Sequence, residues 1–226
     1  MGQLLIVPTP IGNLGDITKR AEEALSQAEL ILAEDTRTTG KLLKLLDISA
    51  PLKAYHMHNE HATLERSVEL IAQAAGHVAL VSDAGTPGIS DPGYLLIRGC
   101  IQAGIEVIAL PGANAVLPAL VASGLPCDRF VFEGFLPAKK GRASRIQQWV
   151  DEPRTVALYE SPHRLARTLR ECAAALGDDR PACVAREISK IHETYHRGTL
   201  GELAELFANQ NAKGEIVLVI GGRAKR

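Results

Sequence analysis

The chain has 226 residues, 46% of them apolar and 23% charged, with 25 Lys and Arg against 26 Asp and Glu. That length holds one large domain or two small ones with real cores. The balance excludes a strongly basic nucleic-acid module, and no apolar run reaches the roughly 18 residues that span a bilayer. The near-neutral total hides an asymmetry. Residues 1–118 carry 8 basic against 13 acidic side chains, a net of −5, and residues 119–226 carry 17 against 13, a net of +4. A basic half joined to an acidic half hints at an anionic partner.

Short apolar runs alternate with helical patterns from the first residues onward. Met1–Pro8 lacks a basic segment and a long apolar region, so it reads as a first strand rather than a secretory signal. Strands are expected at Leu4–Val7, Leu30–Ala33, Val78–Ser82 and Glu106–Leu110, then at Phe130–Glu133, Val156–Tyr159, Cys183–Arg186 and Ile216–Ile220. Leu64, Val68, Ile71 and Ala75 repeat at helical spacing, as do Leu165, Leu169, Cys172 and Leu176. Asp91-Pro92 and Ser161-Pro162 each read as a cap followed by a first-turn proline, and Thr199 to Glu202 as a capping box. Such alternation argues for an α/β chain. Two domains, 1–118 with a parallel sheet and 119–226, are expected, divided near the Pro- and Gly-bearing stretch 111–127. The tail from Gly221 to Arg226 reads as frayed.

Neither the cysteines nor the histidines suggest a metal. Cys100, Cys127, Cys172 and Cys183 form no paired motif and read as core thiols of a cytoplasmic protein. His56, His58 and His61 crowd together as HMHNEH, without the spacing of a zinc helix, and read as a polar loop.

Val78 to Gly93, VALVSDAGTPGISDPG, carries the most information. A buried strand runs into a loop whose glycines allow close approach of a ligand to the backbone and whose prolines fix its path. Two more junctions share this character: Val7-Pro8-Thr9-Pro10-Ile11-Gly12-Asn13-Leu14 and Leu110-Pro111-Gly112-Ala113-Asn114-Ala115. In a parallel sheet, loops after strands emerge on one edge and converge on a ligand. No dinucleotide fingerprint, phosphate loop or nucleophile elbow is present, and the three loops contain no Lys or Arg. Asp83, backbone groups and small side chains suit a neutral or cationic ligand with hydroxyls.

In the second half, YESPHR and AREISK follow strands. Their Glu160 and Glu187 are candidate bases, or strand-end charges paired at the surface. Lys139 to Arg145, KKGRASR, is a basic loop running into a helix, able to hold phosphates or simply to be solvated.

Taken in order, PTPIGNLGDIT, AEDTR, VSDAGTPGISDPG, PGANA, FVFEGFLP, YESPHR and ARE-x-x-K resemble the ribosomal-RNA branch of the tetrapyrrole methylase superfamily, from Gly2 to about Gly222. The superfamily's frequent Gly-Asp-Pro reads Ser82-Asp83-Ala84 here, which fits that branch and counts against a porphyrin-type substrate. The resemblance implies two α/β domains with S-adenosylmethionine bound in the cleft between them, a homodimer, and 2′-O-methylation of a cytidine ribose in small-subunit ribosomal RNA. It implies Pro10, Asp83, Ala84, Gly85, Thr86, Asn114 and Ala115 as donor contacts, with Tyr159, Ala185 and Gly214 from the second domain. For the acceptor, Glu160 and Glu187 are candidate bases, and Arg186 and Lys190 place the phosphate backbone. RNA contacts are expected from Arg37, Lys139, Lys140, Arg142, Arg145 and Arg164, on naked RNA or on the assembled subunit. The alternatives are a methyltransferase acting on a corrin precursor and a donor-binding protein without catalysis.

Overall fold

In the computed structural model, which describes residues 2–57, 60–210 and 212–223, the chain divides after Asn114 into two units. The first contains β1 (Gln3–Ile6), α1 (Lys19–Ser26), β2 (Leu30–Ala33), α2 (Thr36–Leu45), β3 (Leu52–Ala54), α3 (Glu60–Gln73), β4 (His77–Val81), α4 (Tyr94–Gln102) and β5 (Glu106–Ala109). Its sheet has the order β3-β2-β4-β1-β5, with every pair parallel. Helices cover both faces, so the central strands are continuous apolar runs. Strand alternation divides them between two cores. Val78 and Leu80 join Leu4, Ile6, Leu32, Ile71 and Leu96, while Ala79 and Val81 join Val7, Leu25, Ile31 and Leu43.

The second unit contains α5 (Val116–Ser123), β6 (Phe130–Phe135), α6 (Arg142–Gln147), β7 (Thr155–Glu160), α7 (Leu165–Leu176), β8 (Pro181–Arg186), β9 (Thr194–Thr199), α8 (Leu200–Ala208) and β10 (Ile216–Ile220). Its order is β6-β7-β10-β8-β9. Here β6 and β7 run parallel, but β10 is antiparallel to both of its neighbours and β8 is antiparallel to β9. The α7 stripe, Leu165, Leu169, Cys172 and Leu176, packs with Val156, Leu158, Leu218 and Phe207. The division falls ahead of residue 118 because α5 packs against the second sheet, on β7, β8, β9 and β10.

Several local expectations are corrected. Strands β3 and β9 carried no recognisable signal: β3 has three residues, and β9 is the half-buried polar edge TYHRGT. Helix α4 starts at Tyr94 with Gly93, not Asp91, at its cap, and α7 starts at Leu165 with Arg164, not Ser161, there. On α3 the buried residue of the last turn's exit is Ala74, and Ala75 is exposed. The capping box forms as read, with Thr199 Oγ1 accepting from Glu202 N at 3.2 Å and Glu202 Oε2 from Thr199 N at 2.8 Å. His58 and the tail beyond Arg223 lie outside the described residues.

Cys127 is exposed rather than a core thiol, whereas Cys100, Cys172 and Cys183 are buried. Burial pushes the Cys100 thiol up to about 11 and Cys172 up to about 12. Only the thiolate attacks an alkylating reagent. At pH 8 the native protein is therefore expected to lose one thiol rapidly, Cys127, and the other three only on unfolding. Counting alkylated cysteines by intact mass checks this, and a second fast-reacting site in the native protein would contradict it.

Candidate functional site

At the carboxyl edge of the first sheet the loops after β1, β4 and β5 are hydrogen-bonded to one another. Thr9 N donates to Gly85 O and Gly85 N to Thr9 O, both at 2.9 Å. Thr9 Oγ1 reaches back to Ser82 O at 3.1 Å, and Thr86 Oγ1 donates to Ala113 O at 3.2 Å. Gly85 takes a φ of +79°, which a side chain would strain. At Gly112 the loops press together: a Cβ there would stand 2.6 Å from the Pro8 ring. Gly85 and Thr86 are thus bonded into this edge, and Pro10, Ala84 and Asn114 adjoin the bonded residues in sequence. Ala115 lies across the division, as the first residue of the second unit.

A fourth loop, after β2, adds charge to this edge. Asp83 Oδ1 accepts from Asp35 N at 3.1 Å, and Asp83 N donates to Glu34 Oε2 at 3.4 Å. Burial raises the pKa of Glu34 and of Asp83, in each case against the pull of a backbone hydrogen bond. Asp91 is pushed up to about 6, by burial first and then by the charge of Glu34. Asp35 behaves differently: Arg37 is bonded to it through Nε and Nη2, at 3.0 and 2.6 Å, and holds its carboxyl well below the usual range. Arg37 is therefore neutralised locally, though its side chain is exposed. The edge pairs a rigid backbone surface with carboxylates whose repulsion a bound cation would relieve.

In the second unit, register brings other candidates to one sheet edge. Val217 stands between Tyr159 and Ala185, and Ile216 between Glu160 and Arg186, so the exits of β7 and β8 flank the Gly214–Glu215 entry to β10. Tyr159 packs its ring against Phe132 and Phe135, with centroids 5.2 and 5.4 Å away. Ala185 is wholly buried.

The two candidate bases are employed otherwise. Glu160 is 2% exposed. Its Oε1 accepts from Ser161 N at 2.8 Å and pairs with Arg164 at 2.8 Å, and its Oε2 accepts from Thr168 Oγ1 at 2.6 Å. Glu187 Oε1 accepts from Glu215 N at 2.9 Å and from Lys190 at 3.0 Å, and these bonds lower its pKa. A carboxylate lowered as Glu187 is makes a poor proton acceptor, and both oxygens of the buried Glu160 are already engaged. Neither is carried forward as the base. Lys190 also pairs with Glu215 at 3.2 Å, and Arg186 binds Thr194 Oγ1 and Lys213 O at 3.2 and 3.3 Å. This turn is braced, with Glu187 and Ser189 at φ of +53° and +69° and the Glu187 side chain occupying the Cβ space of Gly214.

Arg142 is likewise no RNA contact. It is 2% exposed, bonded to Glu171 at 2.5 Å and to Thr168 Oγ1 at 2.5 Å, with Glu160 Oε2 at 3.6 Å. Its Nη1 donates to Pro137 O at 3.3 Å and Arg164 Nη1 to Leu136 O at 3.1 Å, so both arginines fix the loop that carries Lys139 and Lys140. Those lysines are exposed. Arg145 is half exposed and pairs with Glu133 at 3.3 Å. Arg167 and Arg170 are exposed on the same helix as Glu171.

Among the described residues no group of His, Cys, Asp and Glu is arranged to hold a metal ion. Nor is any helix among them long and apolar enough to cross a membrane. The family model described as Tetrapyrrole (Corrin/Porphyrin) Methylases matches residues 3–204. The chain belongs to the tetrapyrrole methylase family. This methylase is 53% identical to a Synechocystis protein named ribosomal RNA small subunit methyltransferase I, over 98% of the chain and 80% of that protein. It is 52% identical to an Escherichia coli O157:H7 protein of the same name, over 98% and 78%. The methylase shares its fold with Thermus thermophilus uroporphyrin-III C-methyl transferase complexed with S-adenyl homocysteine, at a TM-score of 0.66, with 20% identity over 97% of each chain. The methyltransferase CobJ superimposes at 0.69, with 19% identity over 100% of this chain and 96% of that one.

S-adenosylmethionine fits the first-unit edge on its own geometry. The loops after β1, β4 and β5 carry no Lys or Arg, Arg37 beside them is paired with Asp35, and Asp83, Glu34 and Asp91 form a negative set that suits a sulfonium and an ammonium group. Sequence reasoning missed Glu34 and Asp91 as charges of this edge. AEDTR and SDPG hold both, but only the register of β2 on β4 brings them together.

Asp91 leads to a test of the edge's electrostatics. An acid whose folded pKa exceeds its ordinary value of 3.8 stabilises the fold most when protonated, so its contribution falls as pH rises from about 4 through about 6. Asp91→Asn removes that loss: the variant is expected to gain stability over the parent at pH 7 and to lose the advantage at pH 4. Urea midpoints across this range check it. Parallel curves would contradict it.

Proposed function

We propose that this methylase transfers a methyl group from S-adenosylmethionine to the ribose 2′-hydroxyl of a cytidine in small-subunit ribosomal RNA. The observation that carries the reading is the identity of 45–53% to relatives named ribosomal RNA small subunit methyltransferase I, over 97% or more of the chain. The bonded loops at the first sheet edge, lined by main chain and small side chains, support it. The donor supplies an electrophilic methyl carbon on a cationic sulfur. Pro10, Ala84, Gly85, Thr86, Asn114 and Ala115 would hold it through backbone and small side chains, with Asp83 beside its positive charge. Much of the acceleration then comes from alignment of hydroxyl oxygen, methyl carbon and sulfur.

For the acceptor, Lys139 and Lys140 are the exposed cations on the loop that Arg142 and Arg164 fix, with Arg145, Arg167 and Arg170 on neighbouring turns. Phosphate contacts of this kind orient RNA without reading its sequence. The same reading has the enzyme work in the cytoplasm as a homodimer, which sedimentation at micromolar concentration tests.

Two outcomes are expected. Small subunits from a strain lacking the protein should take up tritiated methyl at one ribose, and Asp83→Ala should abolish this. Label on a base, or on a tetrapyrrole but not on RNA, would overturn the reading. In the Lys139→Ala/Lys140→Ala double variant, donor affinity should stay unchanged while binding to the subunit weakens. Its log–log salt slope should shrink in magnitude by about 1.5, the counterion release of two lost phosphate contacts. An unchanged slope would remove this loop from the RNA surface.

A further inference from the structure

The HMHNEH segment, read from sequence as a polar loop, holds a carboxylate with a different task. Glu60 opens α3 and is 9% exposed. Its Oε1 accepts from Gly93 N at 3.1 Å, from Leu95 N at 3.2 Å and from the Tyr55 hydroxyl at 3.3 Å. Gly93 and Leu95 lie at the N-cap and second position of α4, where a helix leaves its amides without internal partners. A helix ordinarily meets that need with an N-cap Ser, Thr, Asp or Asn. None fits here: a Cβ at residue 93 would stand 2.9 Å from Leu80 Cδ2, and the φ of +134° disfavours any side chain. The cap therefore comes from outside the helix, as an acidic side chain set at the positive end of the α4 dipole. Tyr55, 1% exposed, fixes the carboxylate from the other side. Burial and the Glu60 charge keep its phenol protonated as a donor.

Gly93 is also the last residue of the loop that starts at Ser82. The start of that loop is tied to β1 through Thr9, and its middle to the β5 exit through Thr86. We infer that Glu60 is a positioning residue for the methyl donor: through Gly93 and Leu95 it clamps the far end of the Ser82–Gly93 loop, so that the backbone surface is formed before the donor arrives. This rests on the donor reading above. Pre-formed surfaces bind more tightly because less ordering is left to binding.

The test uses the full chain, with donor affinity from isothermal titration of S-adenosylmethionine and turnover on small subunits. Glu60→Ala leaves two amides without acceptors, and donor affinity is expected to fall about tenfold or more. Turnover at saturating donor should stay within about threefold of the parent, because the reacting groups are untouched. Glu60→Gln keeps an oxygen acceptor and should recover most of the affinity. Leu169→Ala, in the core of the second unit, controls for lost stability and should leave donor affinity as it was. The clamp is overturned if folded Glu60→Ala binds donor like the parent, if Leu169→Ala weakens binding equally, or if Glu60→Gln is as poor as Glu60→Ala. Should Glu60→Ala fail to fold, Glu60→Gln against Tyr55→Phe decides, each expected to weaken donor binding by about twofold to fivefold. Full affinity in both would reject the clamp. A parent protein that binds no S-adenosylmethionine fails the donor reading itself, a result distinct from these.

Discussion

Two hydrogen bonds between Thr9 and Gly85 couple the β1 and β4 exits, and the first unit's candidate site depends on them. They form an isolated antiparallel bridge beyond the parallel pairing of β1 with β4, with Gly85 in the left-handed region. Once the pair exists, Thr86 falls within reach of Ala113 O, and Gly112 must lack a side chain because Pro8 lies against it. A surface made of main chain leaves few side-chain rotamers to be frozen when a ligand binds. It also presents amides and carbonyls, groups that can pair with a ligand's hydroxyls and charged ends.

Charge is handled differently in the two units. In the first, Glu34, Asp83 and Asp91 are held together with raised pKa values, with His56 near Glu34 and with Arg37 spent on Asp35. That arrangement costs stability in the absence of a cation, which is characteristic of binding sites rather than of scaffolds. In the second, charges are satisfied internally. Arg142, Glu160, Thr168, Glu171 and Arg164 form a closed set, and the result is a rigid loop with two lysines left in solvent. Removing one member of such a buried pair strands the other, so these residues belong to the architecture.

The sequence was legible where burial on both faces forces a continuous apolar run. Leu30–Ala33 and Val78–Val81 are such runs, and so is Ile216–Ile220. It was opaque at β9, where an edge strand of Thr, Tyr, His and Arg looks like a loop. It misled at Asp91-Pro92 and Ser161-Pro162, where good local capping chemistry is displaced by Gly93 and Arg164. Glu160 and Arg142 looked like a base and a phosphate contact, because a strand-end carboxylate and a loop arginine are usually solvated. Burial against α7 changes both roles. Glu60 gave no signal at all, since its partners are 33 and 35 residues away.

By itself, then, the sequence determined the strand–helix alternation, the loops of the first sheet edge and, through their motifs, the family. These are properties of residue type and local spacing, and they survive any rearrangement of distant parts. Only the tertiary structure decided which charged residues are free. A carboxylate or guanidinium becomes a reactant, a ligand contact or a brace according to its burial and its partners, and those are set by register and packing between segments far apart in the chain.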